Sequence, residues 1–263
     1  MSKKVLIIDI GNTATEFAVF ENGNLQDFLG FFKLSSELEN AKKALKSYKN
    51  KGFDIDDGMI FSVVPKNEEI VKTLVKEIFD KDISVFNWKD YTLKNKSAKI
   101  IEPIGADLLA DIRQAEKEYR GPCLVVDFGT ITKLLQLNEK GSFIGLSMIP
   151  GIETTLESYG NSTALLPSMN ELKPLNGRLG INTVESIYHG AYWSTVYYVK
   201  EVLKSLNNKE CKLIITGGNL RFIQNEFPEA IVDSLLTLKG MHLLYEEIVK
   251  WNTKIIYKNK KTT

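Results

Sequence analysis

Val5-Leu6-Ile7-Ile8-Asp9-Ile10-Gly11-Asn12-Thr13 and Cys123-Leu124-Val125-Val126-Asp127-Phe128-Gly129-Thr130 follow one pattern: an apolar run, then Asp-x-Gly with a threonine close behind. Each apolar run reads as a buried strand. Each copy then reaches a glycine turn, Asn22-Gly23 or Lys140-Gly141, with the glycine fourteen residues after the aspartate. Asp9 and Asp127, Gly11 and Gly129, Gly23 and Gly141 all stand 118 residues apart. A strand that delivers a carboxylate, a glycine that lets backbone N–H groups approach closely, and nearby hydroxyls together make a phosphate-and-cation site. Two such hairpins facing each other can hold the phosphates of a nucleotide between two halves of a molecule. A lone Asp-x-Gly-x-Thr is a weak signal, because the same residues make ordinary turns. The duplication, with Thr216-Gly217-Gly218 closing a third apolar run at Lys212–Ile215, is a much stronger one.

Composition sets the frame. The chain has 263 residues, 43% apolar and 25% charged, with 34 basic and 33 acidic side chains for a net charge of +1. That balance offers no bulk electrostatic attraction for nucleic acid or membrane surfaces. The Lys-rich stretch 254–261 reads as a solvated tail. The two cysteines, Cys123 and Cys211, lie in apolar stretches and read as buried free thiols, which fits a reducing compartment. The chain enters a strand without a leader-like apolar region, and it has no run of 18 apolar residues. A cytoplasmic location is the expectation.

Outward from the first hairpin, residues 16–20 and 26–33 read as the rest of a meander, followed by a helix over 36–48 capped by Ser35 or Ser36. A strand at 59–64, a helix at 68–79 and a strand at 83–86 come next, then a polar loop over 88–100 and a helix ending near Tyr119. The second half repeats the order: strands at 123–127, 131–137 and 142–149, a helix at 152–160, a loop over 166–182, a long helix at 183–206, a strand at 212–215 and a helix at 238–251. Strands followed by helices in two like halves predict an α/β protein. The boundary falls near Gly121-Pro122, giving domains 1–119 and 120–263.

The three phosphate-type turns resemble those of the actin-like ATPase and sugar-kinase superfamily, which implies two ribonuclease H-like domains, each a mixed sheet flanked by helices. Within it, the chain resembles the type III pantothenate kinases along nearly its whole length. The residues that carry this are Asp9–Thr13, Phe61-Ser62-Val63-Val64-Pro65, Gly105-Ala106-Asp107, Asp127–Thr130, Ile149-Pro150-Gly151, Thr163-Ala164 with Leu166-Pro167, Asn182–Ile187 with Gly190, and Leu236–Gly240. The resemblance implies ATP-dependent phosphorylation of pantothenate, the first step of coenzyme A synthesis. Asp9, Ile10, Gly11, Asn12, Thr13, Ala14, Thr15 and Glu16 would then wrap the ATP phosphates, with Asp9 indirectly near Mg2+. Thr130 would bond a phosphate oxygen, and Gly217 and Gly218 would lie under the adenine. Asp107 would be the base for the substrate hydroxyl, within a substrate motif of Gly105, Ala106, Asp107 and Leu108, and Thr183 would contact pantothenate. Asp127 would hold a monovalent cation, K+ or NH4+. A homodimer is also implied, with the aromatic-rich 183–206 helix as its interface and Tyr192 on the outward face.

The chain departs from the family pattern at specific places. Leu108 stands where the family has an arginine, Ala98 where it has a tyrosine, and Ile101 where it has the proline of an Asn-Pro pair six residues before the aspartate; the nearby Pro103 lies four residues before Asp107. Lys133 stands where a small or apolar residue is usual. Two alternatives therefore stay open: a nucleotide-binding homologue without the kinase reaction, and a kinase for another small hydroxylated acceptor. Asp111 and Arg113 read as an exposed ion pair, with Arg113 also placed to substitute for the missing arginine. His189 reads as a packed histidine, and two histidines with two buried cysteines make a zinc site implausible.

Overall fold

The computed structural model describes residues 3–88, 91, 104–167, 169, 177–206 and 208–259, with side chains as far as Lys250. The polar loop 92–100 and the Ala98, Ile101 and Pro103 positions lie outside the described residues. The chain forms two compact units, Met1–Gln114 with Leu236–Thr263, and Ala115–Leu235.

The first unit is built on β1 (Lys4–Ile10), β2 (Thr15–Glu21), β3 (Asn24–Phe32), β4 (Asp57–Ser62) and β5 (Ser84–Val85), in the order β3-β2-β1-β4-β5. The β1–β2–β3 meander is antiparallel, while β4 and β5 add in parallel. The second unit holds β6 (Cys123–Phe128), β7 (Ile131–Leu137), β8 (Phe143–Pro150), β9 (Lys212–Thr216) and β10 (Ile231–Val232), in the order β10-β9-β6-β7-β8. Here too the meander is antiparallel and the added strands parallel. The two sheets have the same topology, so the duplicated motif is the visible part of a duplicated fold.

In the first unit, alternation along the strands splits the apolar residues between two faces. Leu6, Ile8, Ile10, Phe17, Val19 and Ile60 pack against α1 (Leu34–Asn50) and α2 (Glu68–Phe79) through Leu45, Tyr48, Val71 and Phe79. On the other face His242 of α7 (Leu236–Asn259) stacks on Phe20 at 4.6 Å between ring centroids. Gly240 lets α7 cross α3 (Ala106–Glu118), since a Cβ there would meet the Ala110 backbone carbon at 2.5 Å. The terminal helix, which the sequence division assigns to the second half, therefore packs with the first unit.

In the second unit, Leu124, Val126, Phe128, Leu134 and Ile215 form the core with α4 (Ile152–Ser162), α5 (Thr183–Ser205) and α6 (Leu220–Ile223). Every residue of β6 is buried, as expected of a strand covered on both faces. Each fully buried aliphatic side chain contributes about 1.5–3 kcal/mol over its exposed state. Burial pushes the Cys123 thiol up to about 12, so it stays an inert core group.

Other differences are local. α1 starts at Leu34, with neither serine capping it; instead Glu37 accepts the Lys33 N–H at 2.8 Å. The Ile231–Val232 strand and the Leu220–Ile223 helix are too short to leave a periodic signal. Asp111 and Arg113 are not an exposed ion pair. Asp111 is fully buried and accepts the Thr237 hydroxyl at 2.7 Å, while Arg113 pairs with Glu247 at 2.7 Å. With its guanidinium committed there, Arg113 is held inside the first unit.

Candidate active site

The first hairpin turns through Gly11, Asn12, Thr13 and Ala14 and is closed by the Gly11 N–H donating to Ala14 O at 3.0 Å. Asn12 and Thr13 are exposed, whereas Ile10 and Thr15 are buried at 0% and 1%. The last two therefore shape the turn from inside, and the backbone and the exposed pair face solvent. Asp9 and Glu16 stand directly opposite each other on the paired strands. Like charges directly opposite in that register repel. The adjoining end of β4 is tied in by the Val63 N–H to Ile10 O at 3.0 Å.

The second hairpin is one residue tighter, turning through Gly129, Thr130 and Ile131. Its turn is held by the start of α4. The Gly151 N–H and the Thr154 hydroxyl both donate to Thr130 O, at 2.9 and 2.7 Å. Gly151 has to be glycine, because a Cβ would meet the Thr130 carbonyl at 2.7 Å. Thr130 itself is exposed. The tighter turn also changes what faces the aspartate: Asp127 sits opposite Lys133, not opposite another acid. The Lys133 Nζ donates to Asp127 Oδ2 at 2.6 Å, with the two side chains only 12% and 10% exposed.

The Thr216-Gly217-Gly218 turn closes on this carboxylate. Gly217 has φ +101°, and a Cβ there would run into Asp127 Oδ1 and stand 2.6 Å from the Phe128 backbone. The Asn219 N–H donates to Phe128 O at 2.9 Å, fastening the turn to the end of β6. Asp127, Lys133, Gly129 and Gly217 thus meet at one point of the second unit. A free monovalent cation on Asp127 does not fit these residues, because an ammonium already holds the carboxylate. The sequence marks out Lys133 but not its partner. The signal lay in loop length, since a three-residue turn brings residues 127 and 133 into register.

Asp107 lies in the first turn of α3, where a carboxylate is favoured by the helix dipole. It is half-buried, and its carboxylate lies over Gly105, where any Cβ would collide with Oδ1. Ala106 and Leu108 are 8% and 5% exposed and pack inward. Leu108 therefore fills core volume at the position where the resemblance implies a substrate contact. Thr183 opens α5 behind Asn182, whose Oδ1 accepts the Glu185 N–H at 3.0 Å while Glu185 accepts from the Ile181 N–H at 3.0 Å. This reciprocal cap fixes the helix start. Thr183 lines an open pocket of about 520 Å³ with Tyr159, Leu166, Gly180, Ser186 and Ile187.

α5 does not present Tyr192 outward. Tyr192 packs on the core, its hydroxyl donating to Phe222 O at 3.3 Å, and burial followed by the nearby Glu226 pushes its pKa up to about 12. The outward aromatics are Tyr197 and Tyr198, 52% and 36% exposed. His189 is buried and accepts from Trp193 Nε1 at 3.2 Å, a packed histidine.

The family model for type III pantothenate kinase matches residues 5–205. This chain belongs to the type III pantothenate kinase family. It is 31% identical over 249 residues to a type III pantothenate kinase of Thermosipho melanesiensis, covering 93% of this chain and 99% of that one. A namesake from Halalkalibacterium halodurans is 31% identical over 254 residues, covering 93% and 100%. In fold, the chain is similar to the activator of 2-hydroxyisocaproyl-CoA dehydratase from Clostridium difficile, solved with bound ADPNP, at a TM-score of 0.50, 16% identity and coverage of 97% and 98%. The two repeated sheets are the ribonuclease H-like domains of the actin-like ATPase fold. No helix among the described residues is long and apolar enough to cross a membrane.

Proposed function

We propose that this kinase transfers the γ-phosphoryl group of ATP to the primary hydroxyl of pantothenate in the cytoplasm, the first step of coenzyme A synthesis. The observation that carries this reading is membership in the family over nearly the full length of the chain and of its relatives. The two phosphate-type hairpins and the glycine turn of the second unit support it, since each presents backbone N–H groups or hydroxyls at a strand end.

In this reading Gly11, Asn12, Thr13 and Thr130 bind phosphate oxygens, and Gly217 and Gly218 form the adenosine turn. Asp9, facing Glu16, would hold Mg2+ indirectly; bound there, the metal would offset charge on the transferred group. Asp107 accepts the proton of the pantothenate hydroxyl as that oxygen bonds to the γ-phosphorus and the bond to the β-phosphate oxygen breaks, releasing ADP. A carboxylate suits the task because it need only accept a proton as the attack proceeds. Thr183 and its pocket are assigned to pantothenate. With Leu108 packed inward and Arg113 held by Glu247, recognition of the pantothenate carboxylate falls to other groups, of which the α5 N-terminus is one.

We also assign a homodimer, supported by the exposed Tyr197 and Tyr198 on α5 and by the exposed Leu179 and Ile181 before it, 86% and 94% exposed. An ADP-release assay with pantothenate, ATP and Mg2+ tests the activity. Turnover that depends on pantothenate supports it; a folded protein that binds ATP but gives no turnover above background returns the reading to a non-catalytic homologue.

A further inference from the structure

We infer that Lys133 is a built-in replacement for a free monovalent cation, so that nucleotide binding by this chain needs neither K+ nor NH4+. The inference rests on the kinase reading and concerns the same phosphate site.

Asp127 is the penultimate residue of the central strand of the second unit, beside the Gly129-Thr130 turn and under Gly217. A nearly buried carboxylate at that point opposes a phosphate in two ways: it repels the anion, and it is costly to leave uncompensated away from water. One positive charge on the carboxylate removes both problems. The ammonium of Lys133 supplies it at 2.6 Å, on the neighbouring strand and in direct register. An ammonium matches K+ or NH4+ in charge and approximate size. Being tethered, it is present at every salt composition and leaves Asp127 Oδ2 no room for an added ion. The first hairpin is the internal contrast. Its aspartate faces Glu16 across a four-residue turn and so has no lysine in that register. Deleting one residue from the turn while placing a lysine at the facing position turns an acid–acid pair into an acid–base pair.

The test measures binding of the non-hydrolysable analogue AMP-PNP with Mg2+ by calorimetry in tetramethylammonium, potassium and ammonium chlorides at equal ionic strength. Wild type is expected to bind with a dissociation constant within about twofold in all three, against the roughly ten- to hundredfold that one charge-assisted contact is worth. Lys133→Ala is expected to bind more weakly by that factor in tetramethylammonium and to recover in potassium or ammonium. Wild-type binding that strengthens about tenfold with potassium overturns the inference while leaving the kinase reading intact. So does a folded Lys133→Ala that binds like wild type in tetramethylammonium. Should Lys133→Ala fail to fold, the wild-type salt comparison decides alone. A wild type that binds AMP-PNP in none of the salts overturns the kinase reading and this inference with it.

Discussion

Two adjacent glycines should respond in opposite ways to one added methyl group. Gly217 has φ +101° and lies against the Phe128 backbone, where a Cβ would stand 2.6 Å from both N and C and collide with the Asp127 carboxylate. Backbone in that region costs a non-glycine residue about 1–3 kcal/mol, and forcing a methyl into packed backbone costs about 1–3 kcal/mol more. Gly217→Ala should therefore lose about 2–6 kcal/mol. Gly218 has no positive φ, and a methyl added there would meet nothing within 4 Å, so Gly218→Ala should change stability by less than about 1 kcal/mol and in the stabilising direction. For a chain of this size about 1 kcal/mol moves Tm by roughly 2–4 °C. Thermal unfolding without ligand should then show Gly217→Ala down by at least about 4 °C and Gly218→Ala at wild type or up by no more than about 4 °C. Equal losses, or a Gly217→Ala that melts like wild type, would refute the claim that the turn is closed on Asp127.

Asp107→Asn should keep AMP-PNP binding and lower kcat by roughly 10²- to 10⁴-fold, the usual share of a general base; normal turnover would move the base elsewhere. Tyr198→Glu, at an outward position of α5, should yield a monomer near the chain mass of 29.7 kDa by sedimentation equilibrium, whereas Tyr192→Glu should unfold the core before it reports on assembly. The Lys3–Asp57–Tyr245 network should make stability fall at both ends of the pH range. Burial opposes ionisation of Asp57, but hydrogen bonds from Lys3, Tyr245 and the Gly58 N–H outweigh it and hold its pKa below 3.8, so its contribution is present above that value and lost as acid protonates it. Burial, then the Lys3 and Asp57 contacts, set the Tyr245 hydroxyl at about 12, so its contribution is present below 10.0 and lost as pH rises through about 12. Urea midpoints across pH should drop at both ends in wild type, and the acid drop should shrink in Asp57→Asn.

The sequence by itself determined the fold and the family. Period-two apolar runs, glycine turns and the repeated Asp-x-Gly are local signals, and the two antiparallel meanders follow from them because a short turn can only return a neighbouring antiparallel strand. Long periodic helices such as 183–205 were legible for the same reason, while β10 and α6 were too short for periodicity to register. What only the tertiary structure decided depends on which distant groups meet. The burial of Asp111 follows from the Thr237 hydroxyl, which arrives from a helix far along the chain. The inward set of Tyr192 depends on the Phe222 carbonyl, and the placing of α7 in the first unit depends on its glycine crossing at Ala110. The pairing of Asp127 with Lys133 lies between these cases. Both residues stood in the sequence with their spacing visible, but only the length of the turn between them set the register, and that register decides whether the carboxylate faces an ammonium or waits for an ion.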